Sequence, residues 1–229
     1  MGLNRPAIVL CADKRLELPT AGADIGFKFE DLGQGWVAML AGTVANALEL
    51  CTQYRAYLPD REITDQNLIE TFTEPAKNQL EKSGADLLGC DLIICGFIDG
   101  QPHILWVNEE AQVTREGHFR SIGQGSSNAD AMLHYREQRN SLPFIRTLYH
   151  VYEAKVFSEK APGVGPTTDI AFIPSDGVCR FLNSEGLAYL EGLRMTYGPQ
   201  PTGDIPDEQL HYTFIATWRE RQDMKESQG

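Results

Sequence analysis

Short, unbroken apolar runs dominate the first part of the chain, and helix-period patterns interrupt them in pairs. Ala7 to Ala12 (AIVLCA), bounded by Pro6 and Asp13, has the length and composition of a buried strand. Phe27 to Leu32 and Gly35 to Leu40 read as two strands around a Gly33-Gln34-Gly35 turn. Thr43 to Leu58 then carries helical spacing through Val44, Leu48, Cys51 and Tyr54, so a strand meets a helix at Ala41-Gly42. Pro59-Asp60 stops that helix. Thr64 or Asp65 is expected to cap a second one, which runs through Leu68, Ile69, Phe72 and Leu80 and is bent by Pro75.

The middle of the chain returns to β pattern. Leu87 to Ile98 and Ile104 to Asn108 flank Asp99-Gly100, a strong hairpin signal, and Gln112 to Ile122 is expected to continue the meander. Gly123-Gln124-Gly125 ends the block. Ser127 and Asp130 resemble a capping box opening a helix over Asn128 to Arg139, and Pro143 precedes another over Phe144 to Lys160. Thr168 to Ile173 is a strand, Ser175 to Gly177 a turn, and Gly186 to Tyr197 a last helix. The order is strands, two helices, strands, two helices, then strand. Segregated blocks of this kind predict an α+β layered domain over residues 1–197 rather than a parallel βαβ series. Residues 198–229 form a Pro/Gly-rich segment and a charged tail expected to be mobile.

Composition narrows the function classes. The 229 residues carry 20 Lys+Arg against 32 Asp+Glu, a net charge of −12, and basic groups such as Lys14-Arg15 are too small to neutralise phosphates. No nucleic-acid partner is expected. No apolar run approaches the ~20 residues of a membrane span, and the first residues lack a signal-peptide pattern, so no membrane partner is expected and the location is read as cytoplasmic. The five cysteines contain no C-x-x-C pair and the five histidines no ligand spacing, so no metal or cofactor is expected. Gly123-Gln124-Gly125 is neither a dinucleotide loop nor a phosphate loop, and no G-x-S-x-G elbow exists.

Taken singly, Asp13 is a turn residue after a strand, Lys28 a solvated strand residue and Gly42 a helix-start glycine. Their order says more. AIVLCADKR, FKFEDLGQGWVAMLAG, a helix pair, CDLIICGFIDGQPHILWVNEEAQ and FRSIGQGSSNA together resemble the proteasome β-type subunits and their bacterial relatives among the N-terminal nucleophile hydrolases. The likeness runs from about residue 7 to 173, and LYHVYEAK with APGVG (161–165) resembles an uncharacterised proteasome-like branch. It implies a four-layer αββα sandwich of two antiparallel sheets flanked by helices.

It also implies a chemistry. In that class an N-terminal Thr, Ser or Cys attacks an amide carbonyl while its own α-amine, with a pKa of about 7.7–8.0, accepts the proton. Asp13 matches the acid that orients a catalytic lysine, Lys28 matches that lysine, and Gly42 matches the residue whose N–H forms the oxyanion hole. Leu40 and Gln124 are the expected substrate contacts. Gln124 stands where a serine is expected, and 161–165 offers neither the Asp nor the Ser of the family network. The matching position for the nucleophile falls before Met1, so by this resemblance the first strand is missing, displaced or encoded upstream, and an in-frame upstream start is the favoured expectation. The resemblance thus implies a threonine-type peptidase or amidase acting on a peptide or small amide, assembled as a homo-oligomer. Its alternative is an inactive subunit of the same fold that builds a ring or binds a partner.

Overall fold

The computed structural model describes residues 6–17, 22–24, 27–198 and 215–217. Strand β1 (Ala7–Asp13) alternates strictly: Ile8, Leu10 and Ala12 point into one apolar core, Val9 and Cys11 into another. Period 2 with apolar residues on both faces makes it an inner layer. It pairs antiparallel with β9 (Thr168–Pro174), which pairs with β10 (Arg180–Leu182), and β11 (Ile215–Thr217) closes the order β1-β9-β10-β11.

The second sheet is an antiparallel meander of β4 (Phe29–Gly33), β5 (Trp36–Gly42), β6 (Cys90–Ile98), β7 (Gln101–Val107) and β8 (Val113–Glu116). Asp99 and Gly100 both have positive φ, 50° and 73°, as a two-residue hairpin twisted to match its strands requires. A small hairpin, β2 (Arg15–Glu17) with β3 (Gly22–Asp24), stands apart from both sheets.

Three cores separate four layers. Helices α1 (Val44–Tyr57) and α2 (Leu68–Ser83) cover the outer face of the meander through Leu50, Tyr54, Phe72, Leu92 and Ile94. Ile8, Leu10, Val37, Ile93, Ala171 and Ile173 fill the space between the sheets. Helices α4 (Phe144–Ser158) and α5 (Ser184–Tyr197) cover the other sheet with Leu148, Tyr149 and Leu190 against Ile170 and Leu182, and α3 (Ser126–Tyr135) packs on α4. The αββα sandwich implied by the sequence is the observed architecture.

Local details differ from the sequence reading. Helix α2 starts after Asn67, not at Thr64 or Asp65: Thr64 and Asn67 exchange side-chain bonds in the preceding turn, which spends their capping groups there. The Ser127–Asp130 capping box does not form, because the helix begins two residues earlier than expected, with Gly125 at its cap. The strand expected over Gln112 to Ile122 ends at Glu116, since Gly117 opens a loop that carries the chain across the sheet face. Strands β2, β3 and β10, three residues each, are too short to leave a periodic signal. The mobility expected of the charged tail concerns residues mostly outside those described.

Two buried features fix the packing. Gly96 lets Trp36 lie on β6, because a Cβ there would stand 2.5 Å from the indole. Gly96→Ala is therefore expected to cost about 1–3 kcal/mol by overpacking, measured by urea unfolding. His150 is 1% exposed, bonds Gln138 Oε1 through Nδ1 at 2.8 Å, and is pushed down to about 4 by burial and by the Arg136 charge. Below pH 6.5 the unfolded chain protonates this histidine while the folded one resists, so its share of stability falls from pH 6.5 toward pH 4. The acid slope is expected to flatten in His150→Asn.

Candidate active site

β1 is an edge strand among the described residues. It borders a cleft of about 2000 Å³ whose floor is the inner face of the meander, including Met39, Ala41, Ile93, Ile104 and Trp106. All the candidate site residues, Asp13, Lys28, Leu40, Gly42 and Gln124, line this cleft.

Asp13 terminates β1. Its Oδ1 accepts the Arg15 N–H at 2.7 Å and its Oδ2 accepts from Lys28 Nζ at 2.9 Å. The Lys28 and Asp13 side chains are 20% and 14% exposed, so this charge-assisted bond is sheltered but reachable from the cleft. Lys28 precedes β4, and its carbonyl accepts the Leu40 N–H at 2.9 Å, which ties the lysine backbone to β5. The ion pair therefore joins the end of one sheet to the start of the other.

Gly42 ends β5 at φ +85°, where an added Cβ would stand 2.7 Å from the Gly89 carbonyl and 2.9 Å from Cys90 Cα. Only glycine fits without strain. Gly42 is paired with Cys90, and the bond on that side is made by Thr43 N–H to Gly89 C=O at 2.9 Å, the pattern of a pair that does not bond directly. The Gly42 N–H thus points to the same side of β5 as that of Leu40, two residues earlier. Leu40 spends its N–H on Lys28, and the Gly42 N–H emerges just beyond, where β4 has not yet begun. An ammonium and a backbone donor thus both line the cleft.

Leu40 directs its side chain into the core between the meander and α1, 5% exposed, and reaches the cleft from below. Gln124 is exposed at the tip of a turn held on both sides: a Cβ on Gly123 would meet Ala41 Cβ at 3.3 Å, and one on Gly125 would meet Ser158 Cβ at 2.8 Å. The turn is wedged between the end of β5 and the end of α4.

Several lining groups were not singled out by the sequence. Lys155, 5% exposed, bonds Glu159 Oε1 at 2.6 Å, an i,i+4 spacing that the sequence does contain. Ser158 donates to the Lys155 carbonyl at 2.6 Å and stands beside Gly125. Trp106 and Arg120, from β7 and the loop after β8, stack in the floor with the guanidinium 3.4 Å from the ring centroid. No periodicity links a strand tryptophan to an arginine on a later loop. Cys11, on the same strand face as Asp13, also lines the cleft, and burial pushes its thiol up to about 12.

Gly42→Ala would combine a left-handed backbone with a carbonyl clash, so it is expected to lower unfolding free energy by about 2 kcal/mol or more in chemical denaturation.

Two comparisons with known proteins bear on this geometry. No curated protein matches the chain. The family model described as proteasome subunit matches residues 5–141, a stretch that holds Asp13, Lys28, Gly42 and Gln124. With that match spanning more than half of the 229 residues and the sandwich in place around it, the chain belongs to the proteasome subunit family.

Proposed function

We propose that this cleft hydrolyses amide bonds in peptides by the N-terminal nucleophile route. The observation that carries the reading is the 2.9 Å Asp13–Lys28 bond beside the outward N–H of Gly42. A hydroxyl or thiol on an N-terminal residue, lying outside residues 6–198, attacks the substrate carbonyl carbon and passes its proton to its own α-amine. Lys28, held by Asp13, favours the deprotonated nucleophile by its positive charge. The carbonyl oxygen becomes an oxyanion and accepts the Gly42 N–H, a donor of a kind worth about 2.7–4 kcal/mol in the transition state. Collapse of the tetrahedral species expels the amine with the proton held by the α-amine. Water then hydrolyses the acyl ester or thioester by the same sequence and regenerates the nucleophile.

A second reading rests on Gln124. An amide side chain occupies the turn where the resemblance calls for a serine hydroxyl, and this favours a subunit that builds a ring without cleaving. In either case self-association in the cytoplasm is inferred from the family. No helix among the described residues is long and apolar enough to cross a membrane.

The N-terminus of the protein isolated from its own cells separates the readings. Intact-mass spectrometry is expected to find Thr, Ser or Cys as its first residue, with hydrolysis of a fluorogenic peptide amide that is lost in Lys28→Ala at unchanged far-UV circular dichroism. Another first residue and no hydrolysis would establish the non-cleaving subunit. Light scattering is expected to return a multiple of the protomer mass found by intact-mass spectrometry, and a monomer would contradict the ring.

A further inference from the structure

The floor of the cleft holds a cation that the chemistry above does not use. Arg120 lies flat on Trp106, its guanidinium carbon 3.4 Å from the ring centroid. The indole is fixed in turn, since Trp106 Nε1 donates to Asp91 Oδ1 at 3.0 Å. Asp91 pairs in register with Ala41, next to Gly42, so the stack is anchored to the strand that carries the outward N–H. The loop bearing Arg120 is pinned on either side. Phe119 meets the His134 ring edge-on at 5.0 Å, and Ile122 packs against the inter-sheet core.

Beyond the stack the guanidinium is unengaged. Among the described residues Arg120 has no ion pair and no hydrogen bond, and its Nε is shielded from solvent with no partner. Asp91, Glu109 and Glu116 also line the cleft, yet none of them pairs with it. An arginine held in one plane by stacking keeps its edge N–H groups for a planar, forked acceptor, and a carboxylate matches that geometry. Met39, Ile104 and Ile122, half-buried around the stack, supply an apolar surround that raises the value of such a pair.

We propose that Arg120, laid on Trp106, is a carboxylate-binding subsite, so that the cleft selects extended peptides bearing an acidic group. The proposal rests on the reading of the cleft as a peptide site. It deepens that reading by naming a class of substrate. The carboxylate can belong to an acidic side chain or to a peptide's own C-terminus.

Fluorescence polarisation with three labelled seven-residue Ala/Ser peptides tests it on the full chain. One is capped with a central glutamate, one is capped with a central glutamine, and one has no acidic side chain but a free C-terminal carboxylate. The glutamate peptide or the free-acid peptide is expected to bind about fivefold tighter than the glutamine peptide, and which of the two does so identifies the source of the carboxylate. The advantage is expected to vanish in Arg120→Gln, to persist in part in Arg120→Lys, and to shrink as salt is raised on the native protein. Should Arg120→Gln fail to fold, the lysine variant and the salt series give the decision. Equal binding of all three peptides overturns the subsite and leaves the peptide cleft standing. Binding of none overturns the peptide reading itself and the subsite with it.

Discussion

One charge-assisted bond ties the two halves of this molecule at the place where its chemistry is expected. Asp13 closes β1 of the four-stranded sheet, Lys28 immediately precedes β4 of the five-stranded one, and 2.9 Å separates their charged atoms. A hydrogen bond to a charged group in a sheltered position is worth about 1.5–3 kcal/mol, small beside the three apolar cores that hold the layers together. Its importance is positional. The cores set the separation of the sheets, and the ion pair sets where an ammonium stands in the gap they leave at the free edge of β1.

The rest of the site follows from backbone geometry. Because the Lys28 carbonyl takes the Leu40 N–H, the next donor on that side of β5 is that of Gly42, and because Gly42 adopts φ +85° the chain can turn there into α1 without a side chain striking Gly89. The Gly123–Gly125 turn then seats against Ala41 and Ser158, both contacts closed to a larger residue. The end of the cleft that holds Asp13, Lys28 and Gly42 is therefore built from main chain and two charged side chains. Its floor, with Met39, Ile104, Trp106 and Arg120, is built from side chains.

The sequence revealed the layers better than the site. The unbroken apolar run of Ala7 to Ala12, the Asp99-Gly100 hairpin and the helical spacing after Thr43 each reflect burial on one or two faces or the twist of paired strands, and burial is what hydrophobic patterning records. Helix starts were less legible. Asn67 and Thr64 each have capping chemistry, and their mutual bonds, three residues apart, hold the turn that precedes the helix, a local choice that apolar spacing does not record. Asp13, Lys28 and Gly42 were readable only through likeness to a family, since 15 residues separate the ion pair and no local rule joins its members. Arg120 on Trp106 and Lys155 against the cleft left no trace, because a later loop and a packed helix bring them there.

The most direct test of this account is a crystal structure of the protein, with its native N-terminus, bound to a peptide boronate. The account predicts a tetrahedral boron on the N-terminal side chain, one boronate oxygen within about 2.7–3.1 Å of Gly42 N, and Lys28 still on Asp13 beside it. A boronate seated elsewhere, or absent from a cleft in which Lys28 has turned away from Asp13, would contradict it.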